Sequence, residues 1–210
     1  MYRKLDEESI NRLLETGIEE FAEHGLDRTN INVVAKKAGV SVGVLYKYYE
    51  DKDNFFLACV RHSLKLLDQT MQETIHSEEE LSVSIRNLIH ALMQQAEEHR
   101  NYYVMYNEIT SGSCKKYAGQ LAEEIEGRTS KLYASLLEKA QREGKLDKKA
   151  DPGIFAFFFD NLLMMLQFSF SCEYYQQRMK LFCGEEIQEQ REKMAEQFMD
   201  FITSALGIRE

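Results

Sequence analysis

Proline occurs once in 210 residues, at Pro152, and apolar residues recur at three- and four-residue spacing on both sides of it. Proline removes a backbone donor and clashes with the preceding turn, so its near absence leaves long uninterrupted elements possible. The period selects helix over strand. Ile10, Leu13, Leu14, Ile18, Phe21 and Ala22 form one stripe, Leu81, Ile85, Leu88, Ile89, Leu92 and Met93 a second, and Ile187, Met194, Phe198, Phe201, Ile202 and Ala205 a third. A hydrophobic content of 44% with only 11 glycines supports a substantial core, and the expected fold is all-α.

One stretch departs from the long-helix pattern. Ile31 to Tyr49, I-N-V-V-A-K-K-A-G-V-S-V-G-V-L-Y-K-Y-Y, reads as two short helices around a tight turn. Val34, Ala35 and Ala38 give the first helix an apolar face. Gly39 suits the left-handed conformation that ends a helix. Ser41 caps the second helix by accepting an orphan backbone N–H. Small Ala35, turning Gly39 and aliphatic Leu45 have the spacing of a helix-turn-helix, whose second helix enters a DNA major groove. The exposed residues of that helix are expected to be Val42, Gly43, Val44, Tyr46 and Lys47.

Charge by itself argues the other way. The net charge is −9, and the first fifty residues hold seven basic and nine acidic side chains. Placement says more than the total: Arg28, Lys36, Lys37, Lys47 and Lys52 gather around the two-helix motif. Cys59, Cys114, Cys172 and Cys183 are widely spaced and form no disulfide framework or zinc pattern, which points to a reduced, cytoplasmic setting. The start, M-Y-R-K-L-D-E-E, has no apolar run, so no signal peptide is expected. Ile154 to Phe170 is greasy, but Asp160, Asn161 and Gln167 interrupt it and it is short for a span, so burial within protein is expected and no membrane. His24, His62, His76, His90 and His99 lack metal-ligand spacing and read as surface or cap residues. No catalytic constellation, phosphate loop or cofactor motif is present, so neither an enzyme nor a metal or cofactor protein is expected.

Helices are expected over 6–23, within 31–49, over about 52–75, and then over 78–98, 101–110, 114–142, 152–181 and 185–206. Thr29 or Asn30 caps the helix at Ile31, Asp51 caps the fourth helix, and Asp151 with Pro152 starts the greasy one.

The first sixty residues resemble the DNA-binding domain of the TetR family of bacterial transcriptional regulators. The likeness is carried by Phe21, Gly25, Thr29, Ile31, Ala35, Ala38-Gly39-Val40-Ser41, Gly43, Leu45-Tyr46, Tyr48-Tyr49 and Lys52. It implies a DNA-binding domain over 1–50, a fourth helix over 51–75 that links, and a ligand-binding and dimerisation domain over 51–210. It further implies that Thr29, Ser41, Tyr46, Tyr48 and Lys52 contact phosphates, that Lys47 reaches a guanine edge or a phosphate, and that Gly43 permits close approach. Lys36 and Lys37 either touch phosphate or are simply solvated. Val42 and Val44 depart from the family, where these positions are often polar; valines can meet thymine methyls but form no hydrogen bond.

The same resemblance implies a homodimer through helices of about 152–181 and 185–206, with two heads roughly 34–36 Å apart on a palindromic operator, and release by a small-molecule inducer of apolar or aromatic kind. Most such proteins repress. Candidate pocket residues are Tyr103, Tyr106, Asn161, Met165 and Phe168, with Gln167 as a further polar anchor; residue by residue, ordinary core packing is the better account of the aromatic ones, and Asn161 and Gln167 could equally bond across a dimer interface. A helical interaction or small-molecule-binding module with a relic head is the alternative, favoured by the acidic charge and the two valines.

Overall fold

The computed structural model describes residues 5–75, 80–110 and 112–208. They form ten α-helices and no strand among the described residues: α1 (Glu7–Arg28), α2 (Ile31–Ala38), α3 (Val42–Tyr49), α4 (Lys52–Thr74), α5 (Leu81–Glu98), α6 (Arg100–Ile109), α7 (Ala118–Arg142), α8 (Pro152–Ser171), α9 (Glu173–Cys183) and α10 (Arg191–Leu206). The all-α expectation holds. His76, Glu78 and Ser111 lie outside the described residues.

The chain forms two compact units. The first holds the residues up to Leu67 together with Asn101–Ala118, and the second holds Asp68–Arg100 and the chain from Gly119 onward. In the first unit, Leu13, Ile18, Phe21, Leu26, Leu45, Phe55 and Phe56 build a closed core. The Phe21 ring meets Phe56 edge-on at 5.1 Å. Gly17 sits where α1 crosses α4: a Cβ there would fall 2.5 Å from the Phe55 ring and 2.7 Å from Cys59 Sγ, so only glycine lets the helices close. Polar clamps bring α6 and the short 3-10 helix after it onto the same body. Tyr102 of α6 donates to the Glu15 carboxylate of α1, and His62 of α4 reaches the same oxygen at 2.9 Å. Lys116 and Tyr117 both bond Asp53 at the start of α4, and together they hold its carboxyl below the usual range.

In the second unit, α8 packs on α5 and α9, and α10 on α5. Leu88, Ile89, Leu92 and Met93 of α5 are fully buried, as is Ile202 of α10. Tyr133 of α7 meets Phe159 of α8 edge-on at 5.1 Å. Arg191–Glu97, Lys145–Glu80 and Arg128–Asp68 pair at the periphery. The α8 start matches expectation: Asp151 Oδ1 accepts from Gly153 N and Ile154 N at 2.9 and 3.1 Å, with Pro152 in the first turn.

Four boundaries differ from the sequence expectation. The stop expected after residue 23 is present as a break at Gly25, which takes φ 71, but the helix resumes and runs to Arg28. The long α7 starts at Ala118, after a 3-10 helix over Gly112–Tyr117. The apolar helix expected to reach 181 ends at Ser171 and restarts at Glu173. Ser169 and Ser171 donate their hydroxyls back to Met165 O and Gln167 O, competing with the ladder, and Gln176 Nε2 takes up the freed Phe170 carbonyl at 2.9 Å. The last helix starts at Arg191, after a 3-10 helix over Glu185–Glu189.

Burial of α8 on most sides is also corrected. Its length and composition would suffice to cross a membrane, and only 39% of its apolar window is buried. Ile154, Phe157 and Phe158 stay 53–63% exposed, and Phe201 of α10 is 57% exposed.

Candidate functional site

The site with the strongest local definition is the α2–turn–α3 pair. Asn30 caps α2, accepting from Asn32 N at 2.9 Å, which settles the choice between Thr29 and Asn30. Gly39 adopts φ 74 and ψ 25, and the turn closes through Val40 N donating to Ala35 O at 2.9 Å. Arg12 Nε donates to the Ala38 carbonyl, satisfying the end of α2 from α1. Ser41 Oγ accepts from Val44 N at 3.3 Å and starts α3. Leu45 is 0% exposed, wedged between the two helices, so the outer face of α3 is fixed by the inner one.

On that outer face Gly43, Tyr46 and Lys47 are exposed, with Ser41 beside them; Val42 and Val44 are half-buried instead of fully exposed. A Cβ built on Gly43 would meet nothing within 4 Å. Tyr48 is half-buried, and its hydroxyl oxygen accepts from Leu5 N at 2.8 Å, leaving its proton free to donate. Tyr49 turns inward against Phe55 at 5.0 Å, and burial pushes its hydroxyl pKa up.

The cations divide into two groups. Lys36 and Lys47 are exposed and have no carboxylate partner among the described residues. Lys37 is tied to the almost fully buried Glu20 carboxylate at 2.5 Å, and that bond and charge raise its pKa. Lys52 Nζ donates to Asp27 O at 2.8 Å and to Thr29 O at 3.4 Å, stitching α4 to the loop before α2. Thr29 is buried. Its hydroxyl lies 2.7 Å from Gly25 O and 3.0 Å from Glu20 O and donates inward, fixing the α1–α2 corner.

The joint after α3 is unusual. Glu50 has φ 64 and ψ −53, and Asp51 N donates to Tyr49 O at 2.7 Å, a strained γ-turn on a non-glycine residue. Asp51 then starts α4, its Oδ1 accepting from Asn54 N at 2.7 Å.

Other chemistry is thin. Glu20, Glu23 and His24 approach within 4.8 Å of one another, as metal ligands would, but the Lys37 ammonium already neutralises Glu20. The Cys59 thiol is completely buried and pushed well up by desolvation, the opposite of what a nucleophile needs. His62 is not a surface histidine: it is half-buried, and its Nδ1 has no partner.

The candidate pocket residues fall into both units. Tyr103 and Tyr106 sit half-buried on α6 in the first, and burial pushes the Tyr103 hydroxyl pKa up. Asn161, Met165 and Phe168 sit on α8 in the second. Asn161 spends its amide on Phe157 O of its own helix at 2.6 Å, and Phe168 packs on Tyr175 at 5.4 Å. Asp160, also on α8, was not among the candidate residues read from the sequence. Burial, reinforced by the Glu126 charge, raises its carboxyl to about 7. A lone acid in an apolar run was the available signal.

A short helix held outward by a glycine turn, a serine cap and a leucine wedge defines the class: a helix-turn-helix protein. Residues 13–59 match the model of the bacterial regulatory proteins of the tetR family. The likeness to that family is thus carried by the N-terminal domain. The HTH-type transcriptional regulator HbdR of Aromatoleum sp. is 32% identical over 89 residues, which are 42% of this chain and 38% of HbdR. The match thus spans well under half of that relative. Among solved structures, the ketosteroid transcriptional regulator KstR2 of Mycobacterium tuberculosis superposes with a TM-score of 0.68 at 18% identity, over 99% of this chain and 98% of that one. FadR from Bacillus subtilis, solved with stearoyl-CoA, gives 0.72 at 15% identity, over 95% of this chain and 100% of that one. At such identities these likenesses establish the fold along nearly the whole chain.

Proposed function

We propose that the protein is a cytoplasmic transcriptional repressor that binds a palindromic DNA operator as a homodimer and is released by a small-molecule inducer. The carrying observation is the α2–turn–α3 geometry, in which the Gly39 turn, the Ser41 cap and the buried Leu45 fix the outer face of α3, and Gly43 on that face leaves room for close approach. Beside it, Lys36 and Lys47 stand exposed without carboxylate partners, and Ser41, Tyr46 and Tyr48 each keep a hydroxyl proton to donate to phosphate. Thr29 and Lys52 support the same surface by fixing the α1–α2 corner and the start of α4. Val42 and Val44, half-buried, offer methyl groups to thymines. In this division of labour residues 1–50 read DNA, and 51–210 bind the inducer and dimerise.

Support for the dimer comes from the apolar groups that α8 and α10 leave uncovered. Ile154, Phe157, Phe158 and Phe201 are large and mostly exposed, as a face closed by a second copy would be. The inducer is proposed to have an apolar or aromatic body, with Asn161, Met165 and Phe168 of the second unit as candidate contacts.

The test is a gel-shift against the DNA upstream of the protein's own gene, across a salt series. A Lys47→Ala variant should weaken specific binding by about 1–3 kcal/mol if Lys47 reads a base, or lower the salt slope by roughly 1 if it pairs a phosphate. Sequence-specific binding unchanged in both respects removes Lys47 from the interface. No specific binding by the unmodified protein favours the relic-head alternative.

A further inference from the structure

The last regular turn of α1 before Gly25 carries a cluster that the outer face of α3 does not use. Glu20, Glu23 and His24 stand at positions i, i+3 and i+4, so their side chains share one face of the helix. His24 Nε2 lies 3.8 Å from Glu20 Oε2 and 3.9 Å from Glu23 Oε2, and the three ligand atoms fall within 4.8 Å of one another. A pocket of about 250 Å³ opens on them, completed by Arg28, Asn30 and Val33. Glu20 is the fixed member, with its side chain 3% exposed; Glu23 and His24 are 70% and 43% exposed and have room to rotate. Lys37 of α2 supplies the countercharge, its ammonium on Glu20 Oε1 at 2.5 Å, while Oε2 is the oxygen turned toward His24.

We propose that this cluster is a site for a divalent transition cation such as Zn²⁺, held by Glu20, Glu23 and His24, and that the ion takes over from the Lys37 ammonium. One imidazole nitrogen and two carboxylate oxygens are donors that zinc accepts in sites that keep a further position for water. Mg²⁺ prefers an all-oxygen, near-octahedral shell and gives up water reluctantly, so it fits less well. Ligands on one tetrahedral ion with bonds of about 2.1 Å stand about 3.4 Å apart, so both His24 contacts need to close by roughly half an ångström. The pocket has room for water at the remaining position. A lysine meets the buried carboxylate with a single charge on a flexible stem, and the Lys37 side chain is already 55% exposed, so its return to water costs little. The ion brings two charges and bonds all three ligands. Arg28 in the lining opposes a cation, with its Nε held on the His24 carbonyl at 3.2 Å. Glu19, whose charge acts on Lys37 together with those of Glu20 and Glu23, offsets it. Lys37 lies in the last turn of α2, two residues before Gly39, so its release adds a cation for DNA phosphate. The metal site stands apart from the DNA-binding reading; only this consequence for Lys37 rests on it.

The experiment is isothermal titration calorimetry of the full chain with Zn²⁺ and, as the control ion, Mg²⁺, in a Cys183→Ser background that removes the exposed thiol. Zn²⁺ should bind at one equivalent and at least ten-fold tighter than Mg²⁺. His24→Ala and Glu23→Gln should each weaken Zn²⁺ at least ten-fold, with far-ultraviolet circular dichroism confirming the fold. Lys37→Met removes the competing ammonium and should tighten Zn²⁺ several-fold. No stoichiometric Zn²⁺ binding, or an affinity that either ligand variant leaves unchanged, overturns the site; an affinity that Lys37→Met does not raise overturns the exchange. A gel-shift salt series on the upstream DNA reads the consequence separately. Zn²⁺ should steepen the salt slope by roughly 1 in the parent and leave it unaltered in Lys37→Met. An unaltered slope in the parent removes the effect on DNA but not the metal site, and a protein that binds no DNA at all removes the DNA-binding reading while calorimetry still decides the site.

Discussion

Replacing Asp160 by Asn should stabilise the protein, and by an amount that depends on pH. In the unfolded chain an aspartate titrates near 3.9; in the folded chain burial and the Glu126 charge raise Asp160 to about 7. The folded state therefore holds this proton more tightly than the unfolded state. Below about pH 4 both states are protonated and the residue is neutral in the balance. As pH rises toward 7, the unfolded state gives up its proton freely while the folded state cannot, so stability falls, and above 7 the loss levels off. A pKa gap of about three at ~1.36 kcal/mol each gives a full loss of about 4 kcal/mol, of which about 1.5 kcal/mol is already present at about pH 5. Asparagine cannot ionise, so the variant should gain about 4 kcal/mol over the parent at about pH 8 and only about 1.5 at about pH 5. Urea unfolding followed by far-ultraviolet circular dichroism, at one fixed protomer concentration, measures both gains. Steric or hydrogen-bonding effects of the amide are common to the two conditions and cancel in the difference. An equal gain at both pH values would refute the assignment of a desolvated, unpaired carboxyl to this position.

Two further substitutions probe the first unit. Gly17→Ala inserts a methyl group into the contact with Phe55 and Cys59 and should destabilise by about 1–3 kcal/mol in thermal or chemical unfolding; a gain, as helix propensity alone predicts, would show that α1 and α4 can separate. Glu50→Gly relieves a positive-φ γ-turn and should stabilise by about 1 kcal/mol, the strain relief exceeding the extra chain entropy of glycine; a loss of stability would mean that the Glu50 side chain holds the joint.

The head was legible because its information is local. Gly39, Ser41 and Leu45 lie within seven residues, and each has a backbone or wedge role that spacing alone reveals. What could not be read is non-local. Gly17 is an ordinary mid-helix glycine until Phe55 is placed over it. Glu15, His62 and Tyr102 meet across nearly ninety residues, so His62 read as a surface residue. Thr29 looked available to a phosphate because the sequence does not say which way a corner residue turns, and its hydroxyl goes to Gly25 and Glu20. The break at Cys172 has no glycine or proline to announce it. It follows from serines bonding back along α8, a competition that helical periodicity does not register.

Gly43 also bears on how such a protein can change over generations. Nothing in the fold surrounds the position, so almost any replacement there would leave the chain folded, and most would improve the helix. A head released from DNA would therefore lose this glycine by drift, with no penalty in folding to oppose the change. A variant silenced at this residue would still fold and be made in full amount. On the proposed reading of a homodimer on a two-part operator, one such substitution would act dominantly in a cell that carries both forms, because a mixed dimer would present one working helix where two are needed.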